Sequence, residues 1–175
     1  MTTEPPWTHL GAVDVGGRDR TELRAALADA GIAVNESAEI LLGLDAIEAG
    51  AGVLDLASAT PADLGLAGGG SLPAIFAAAS EQGLALCPLA TAPFLRLVHR
   101  EDESVDPELR RHRPPDGALH VASPLPPGGT DIPTGFYLRT VSGQRWLRGY
   151  RCDADYRLPP DAVFVFALEG ARTRL

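Results

Sequence analysis

The sequence predicts an α+β fold: a single domain in which N-terminal helices pack on a mostly antiparallel C-terminal β-sheet. Three observations carry this expectation. The chain has 175 residues, 45% of them hydrophobic and 22% charged, which suits one buried core, and no window holds 18 consecutive apolar residues. Apolar residues recur at helical spacing between residues 20 and 82. From residue 117 onward the pattern turns to short alternating or wholly apolar runs separated by glycine and proline, which is the punctuation of strands.

Residues 1–18 read as an N-terminal segment, partly ordered, ahead of a domain spanning residues 19–175. The first helix is expected over residues 20–30. Asp19 and Glu22 form a capping-box start, Leu23, Ala26, Leu27 and Ala30 supply one apolar stripe, and Gly31 ends it. Asn35 is a good N-cap for a second helix with Ile40, Leu41, Leu44 and Ile47 inward, running through Gly43 to a stop at Gly50. Val53 to Ala57 reads as a strand, Thr60 to Asp63 as a brief helical turn, and Gly68-Gly69-Gly70 as a flexible, hinge-like loop. Ser71 then caps a third helix, with Pro73 in its first turn and Leu72, Ile75, Phe76 and Ala79 on one side, closed by Gly83. Leu84 to Cys87 and Phe94 to His99 read as strand-like segments.

Residues 101–117 change character: Glu101-Asp102-Glu103 is acidic, Arg110-Arg111-His112-Arg113 is basic, and Pro114-Pro115 follows. An exposed charged excursion is expected there. Gly117 to Ala122 is a strand, Ser123 to Gly135 a loop with four prolines and three glycines, and Ala162 to Leu168 a last buried strand. Between them, Phe136–Val141 and Gln144–Tyr150 flank Ser142-Gly143, a two-residue hairpin signal.

The run Gly83-Leu84-Ala85-Leu86-Cys87-Pro88, then Leu95-Arg96-Leu97, the tryptophan hairpin and the terminal Phe-Val-Phe strand together resemble a family of small uncharacterised bacterial proteins. The resemblance spans roughly residues 20–170 and implies no activity, cofactor or catalytic residue.

Composition excludes several chemistries. All 15 basic residues are arginine, so a Walker A phosphate loop, a Schiff-base lysine and a kinase lysine are absent. Arginine in place of every lysine reads as the codon bias of a GC-rich bacterial genome. Net charge is −8, and it is divided: residues 1–90 carry three arginines against twelve carboxylates, a net −9, and residues 91–175 twelve against eleven, a net +1. So acidic a protein is not expected to bind nucleic acid. Two cysteines, Cys87 and Cys152, without a CxxC motif point to a reduced, cytoplasmic protein. Met1-Thr2-Thr3-Glu4-Pro5-Pro6-Trp7 has no signal-peptide pattern. His9, His99, His112 and His120 lie in separate contexts without metal-ligand spacing, so no metal and no cofactor are expected. Cys87 before proline reads as a buried, inert thiol, and Cys152 as the more exposed of the two.

Two groups of residues remain as candidates. Strand alternation about the Ser142-Gly143 turn puts Tyr137, Arg139, Trp146, Arg148 and Tyr150 on one face, an aromatic–arginine ladder expected to look outward. Such a face suits a peptide, a protein partner, or a small planar or anionic ligand; the alternative is a face that merely solubilises the sheet. The second group, His99 with Arg96 and Glu101, sits where an apolar segment meets the charged excursion. It would serve a small cofactor-independent enzyme with an apolar pocket, performing proton transfer, cyclisation or hydrolysis. The binding module is the primary expectation and the enzyme the alternative.

Overall fold

Val163–Leu168, a run of apolar residues bounded by turn residues, is too short for a buried helix and forms strand β8 at the centre of the sheet. In this computed structural model, which describes residues 3–100 and 117–170, β8 is flanked on one side by β3 (Gly52–Ala59) and on the other by β5 (Leu119–Val121) and, farther along, β4 (Leu84–Ala85). Next to β5 come β6 (Gly135–Val141), β7 (Gln144–Tyr150) and β2 (Ala33–Val34), while β1 (Thr8–Val15) closes the other edge. The order is β1-β3-β8-β5-β6-β7-β2. All pairs are antiparallel except β5 with β8 and β2 with β7.

Helices cover both faces of this mixed sheet. On one face lie α1 (Arg20–Asp29), α2 (Glu36–Leu42) and α4 (Thr91–Val98), whose Leu23, Leu27, Leu41 and Phe94 pack with Val15, Leu56, Leu138, Leu147 and Val165. On the other face α3 (Leu72–Glu81) lays Leu72, Ile75 and Ala79 over Ala57, Ala59, Phe164 and Phe166. Phe76 meets the rings of Phe164 and Phe166 edge-on at 6.5 and 6.4 Å.

The α+β class holds, but helices and strands are interleaved along the chain rather than divided between its halves. Four local expectations are corrected. Residues 8–15, read as part of a partly ordered N-terminal segment, are β1; a register shift between His9 and Gly11 breaks the alternation that would have revealed it. Residues 94–98, read as strand, belong to α4. Phe94, Leu97 and Val98 fit helical spacing as well as a short apolar run does, and Pro93 is tolerated in a helix's first turn. Gly43 does not sit inside a long second helix but ends α2, its N–H donating to Glu39 and Ile40 carbonyls, and a 3-10 turn over Asp45–Glu48 carries Ile47 to the core.

Nor is Gly68-Gly69-Gly70 a flexible linker. Gly70 and Leu158 exchange backbone hydrogen bonds at 3.1 and 2.8 Å. Gly69 has φ +77°, and a Cβ there would stand 2.0 Å from the Leu158 carbonyl oxygen, so only glycine fits. The charged excursion over 101–117 lies outside the described residues except for Gly117.

Candidate binding face

The hairpin turn sets the geometry of the face. Ser142 (φ 50°) and Gly143 (φ 76°) both take positive φ, as the tight primed turns of hairpins require. Val141 therefore pairs with Gln144, Arg139 with Trp146, Tyr137 with Arg148, and Gly135 with Tyr150. Strand pairing carries one of these rows across the sheet: Ala59, Phe164, His120, Tyr137 and Arg148 stand opposite one another on β3, β8, β5, β6 and β7. Side chains directly opposite share a face. The row runs from apolar, beneath α3, to cationic on β7.

The face is less open than the sequence suggests. Arg139 and Tyr137 are buried, and Trp146, Arg148 and Tyr150 are half-buried. Rings of His120 and Phe164 stack at 5.0 Å, and His120 lies 5.7 Å from Tyr137 and 5.4 Å from Tyr150. His120 Nδ1 donates to the Val163 carbonyl at 3.3 Å, which assigns its proton to that nitrogen. Burial lowers its pKa to about 4, only partly opposed by that hydrogen bond, so the ring is neutral near pH 7. Burial, and then the neighbouring Cys152, push the Tyr150 hydroxyl upward, so it stays protonated. The Arg148 guanidinium lies over the Trp146 ring, 4.9 Å from its centroid. Its Nε is buried and has no hydrogen-bond partner among the described residues.

The second candidate group is placed differently. Arg96 is wholly buried in α4, where its two terminal nitrogens donate to the Trp146 carbonyl at 3.3 Å and the His99 carbonyl at 2.7 Å. Arg145 donates in turn to the Arg96 carbonyl at 3.2 Å. Arg96 thereby ties the end of α4 to β7. His99 is the C-cap of α4, and Glu101 lies outside the described residues. A groove of about 770 Å³ opens between β1, α1 and α4; Val98 lines it and His99 does not.

The chain matches no protein-family model, no curated protein and no solved structure. Function has to be argued from the site itself. Among the described residues no three His, Cys, Asp or Glu side chains cluster to hold a metal, and no helix is long and apolar enough to cross a membrane. Cys87 is buried and its thiol is pushed up to about 12 by desolvation; burial and then Asp153 also raise Cys152. Neither is an activated thiolate.

His120 is the member of the face that local reading misses. Leu119-His120-Val121 alternates, but only the pairing of β5 with β6 and β8 puts the ring beside Tyr137 and Phe164, and those partners lie 17 and 44 positions away.

Proposed function

We propose that this chain is a binding module whose β6–β7 face takes a planar anionic group, carried by a peptide or protein partner or by a small molecule. The observation that supports it best is Arg148: a guanidinium placed over the Trp146 ring, 4.9 Å from its centroid, with an Nε that makes no hydrogen bond among the described residues. The terminal nitrogens of such a guanidinium offer N–H donors to a carboxylate, with the half-buried indole beside them. The neutral ring of His120 lies beside Tyr137 and continues the aromatic surface toward the core, leaving Arg148 as the cation of this row. The enzyme alternative at His99, Arg96 and Glu101 has less behind it, since the Arg96 guanidinium serves backbone carbonyls.

The test is a titration with benzoate followed through the indole N–H resonance of Trp146, in a Trp7→Phe background. Benzamide, planar and neutral, and cyclohexanecarboxylate, anionic and puckered, serve as controls. Benzoate is expected to shift the Trp146 signal more strongly than either control. Arg148→Lys keeps the charge but not the fork, and should weaken binding about tenfold or more, since hydrogen bonds to charged groups contribute about 1.5–3 kcal/mol. If Arg148→Ala binds benzoate as the parent does, the reading fails.

A further inference from the structure

We propose that the outer edge of β1, together with the groove beside it, takes an extended basic segment of a partner protein by strand addition. This surface shares no residue with the β6–β7 face, at the other end of the sheet.

β1 ends the strand order, so one row of its backbone N–H and C=O groups has no strand partner among the described residues. Proteins usually blunt such an edge with lysine, proline or a bulge. This chain has no lysine, and Thr8–Val15 contains no proline. The bulge is confined to His9–Gly11. From Ala12 to Val15 the strand keeps regular register against Asp55 to Gly52, which leaves a regular four-residue template.

The groove of about 770 Å³ lies against that regular half. Val13, Phe94 and Leu97 form its apolar lining with Ala26 and Ala30 of α1, and Val98 lines it while 68% exposed. A strand added to β1 would lie about 4.8 Å beyond it and set every second side chain over this lining. Charge selects the occupant. Asp14 and Asp29 line the groove against a single cation, Arg18, in a half of the chain that carries a net −9. The complementary segment has apolar residues at alternate positions and arginine or lysine between them. A second copy of β1 does not meet this description: Asp14 is its one carboxylate, and it holds no arginine.

The probe is the peptide Ac-Val-Arg-Val-Arg-Val-Arg-NH2, followed through the backbone amide spectrum of the full chain. It is expected to shift the amides of Ala12–Arg18, Asp29, Leu97 and Val98 and to leave the Trp146 and Arg148 amides in place. Methylating alternate backbone nitrogens of the peptide removes the donors a strand needs, and should weaken binding about tenfold or more, as should exchanging its arginines for glutamates. Val98→Arg alters an exposed residue; it should weaken binding by a similar factor while leaving the unfolding midpoint unchanged. No shift at about 1 mM peptide overturns the proposal. So does equal binding of the methylated or the glutamate peptide. Concentration-dependent shifts of the same amides without peptide would assign the edge to a second copy, and overturn it equally.

Discussion

His120 is a proton-sensitive residue placed where a proton is hardest to accommodate. Its ring is buried between Phe164, Tyr137 and Tyr150, and its pKa falls from 6.5 to about 4 because burial penalises the charged form. In the unfolded chain the ring is hydrated and takes its proton near the ordinary value. Between pH 6.5 and 4 the unfolded state therefore binds more protons than the folded one, and stability falls as pH falls. The contribution is complete above the unfolded value and gone below the folded one. The difference amounts to about 3 kcal/mol. The informative quantity is a difference between proteins, in which every other titrating group cancels. His120→Phe keeps an aromatic ring of similar size between the same neighbours, and urea unfolding at pH 4 and pH 7 should show a smaller loss for the variant by about that amount. Equal losses in the two proteins would mean that His120 is protonated in the fold. At this scale the sequence was legible where the cause is local. Ser142 and Gly143 announce the turn, and from the turn the pairing of Arg139 with Trp146 and of Tyr137 with Arg148 follows by alternation. The burial of Arg139 was not legible, because an arginine's exposure depends on what the distant chain lays over it, and a two-strand reading stops at the hairpin.

Helix α2 shows how one side chain joins two elements. Asn35 caps it: Oδ1 accepts from Ala38 N–H at 2.9 Å. The same oxygen accepts from Gly149 N–H at 2.8 Å, and Nδ2 donates to the Gly149 carbonyl at 3.1 Å. The amide thus completes a strand-like pair with β7 along the edge where β2 joins it. Asn35→Ala removes the cap and strands both Gly149 groups, a loss of about 3 kcal/mol from a cap near 1 and the desolvation of unmet backbone groups. Asn35→Ser keeps a cap acceptor and loses the two bonds to Gly149, so it should cost less than Asn35→Ala by about the worth of the cap, near 1 kcal/mol. Chemical denaturation of the two variants checks the order; equal costs would show that the bonds to Gly149 carry most of the effect. The cap was readable from the sequence, as were the Asp19–Glu22 capping box and Ser71. The partner strand was not, since Asn35 and Gly149 are 114 positions apart. Elements were missed where their period is ambiguous or broken. Strand β1 loses its alternation at the His9–Gly11 bulge, and α4 is an apolar run whose length suits either state.

Across the whole molecule, one sheet separates two apolar layers, and β8 belongs to both. Val165 faces α1, α2 and α4, while Phe164 and Phe166 face α3. Strand β8 also receives chain from both halves, β3 and β4 from the first and β5 from the second, so neither half can bury its helices without the other. This is why the expected division into early helices and a late sheet does not survive: β1 and β3 are only a two-stranded ribbon unless the C-terminal strand β8 joins them to the rest of the sheet. A fold built this way should unfold in a single step. Two tryptophans sit near the opposite edges, Trp7 just before β1 and Trp146 on β7, next to β2. Trp7→Phe leaves Trp146 as reporter for one end, and Trp146→Phe leaves Trp7 for the other. Each substitution shifts stability; Trp146→Phe also weakens the contact with Arg148, by about 0.5–1 kcal/mol. The comparison is therefore made within each variant, between its fluorescence midpoint in urea and its far-ultraviolet circular dichroism midpoint. The two are expected to coincide in both proteins. If Trp7 reports an earlier midpoint than the backbone signal does, β1 melts from the edge before the rest, and cooperativity stops at β3.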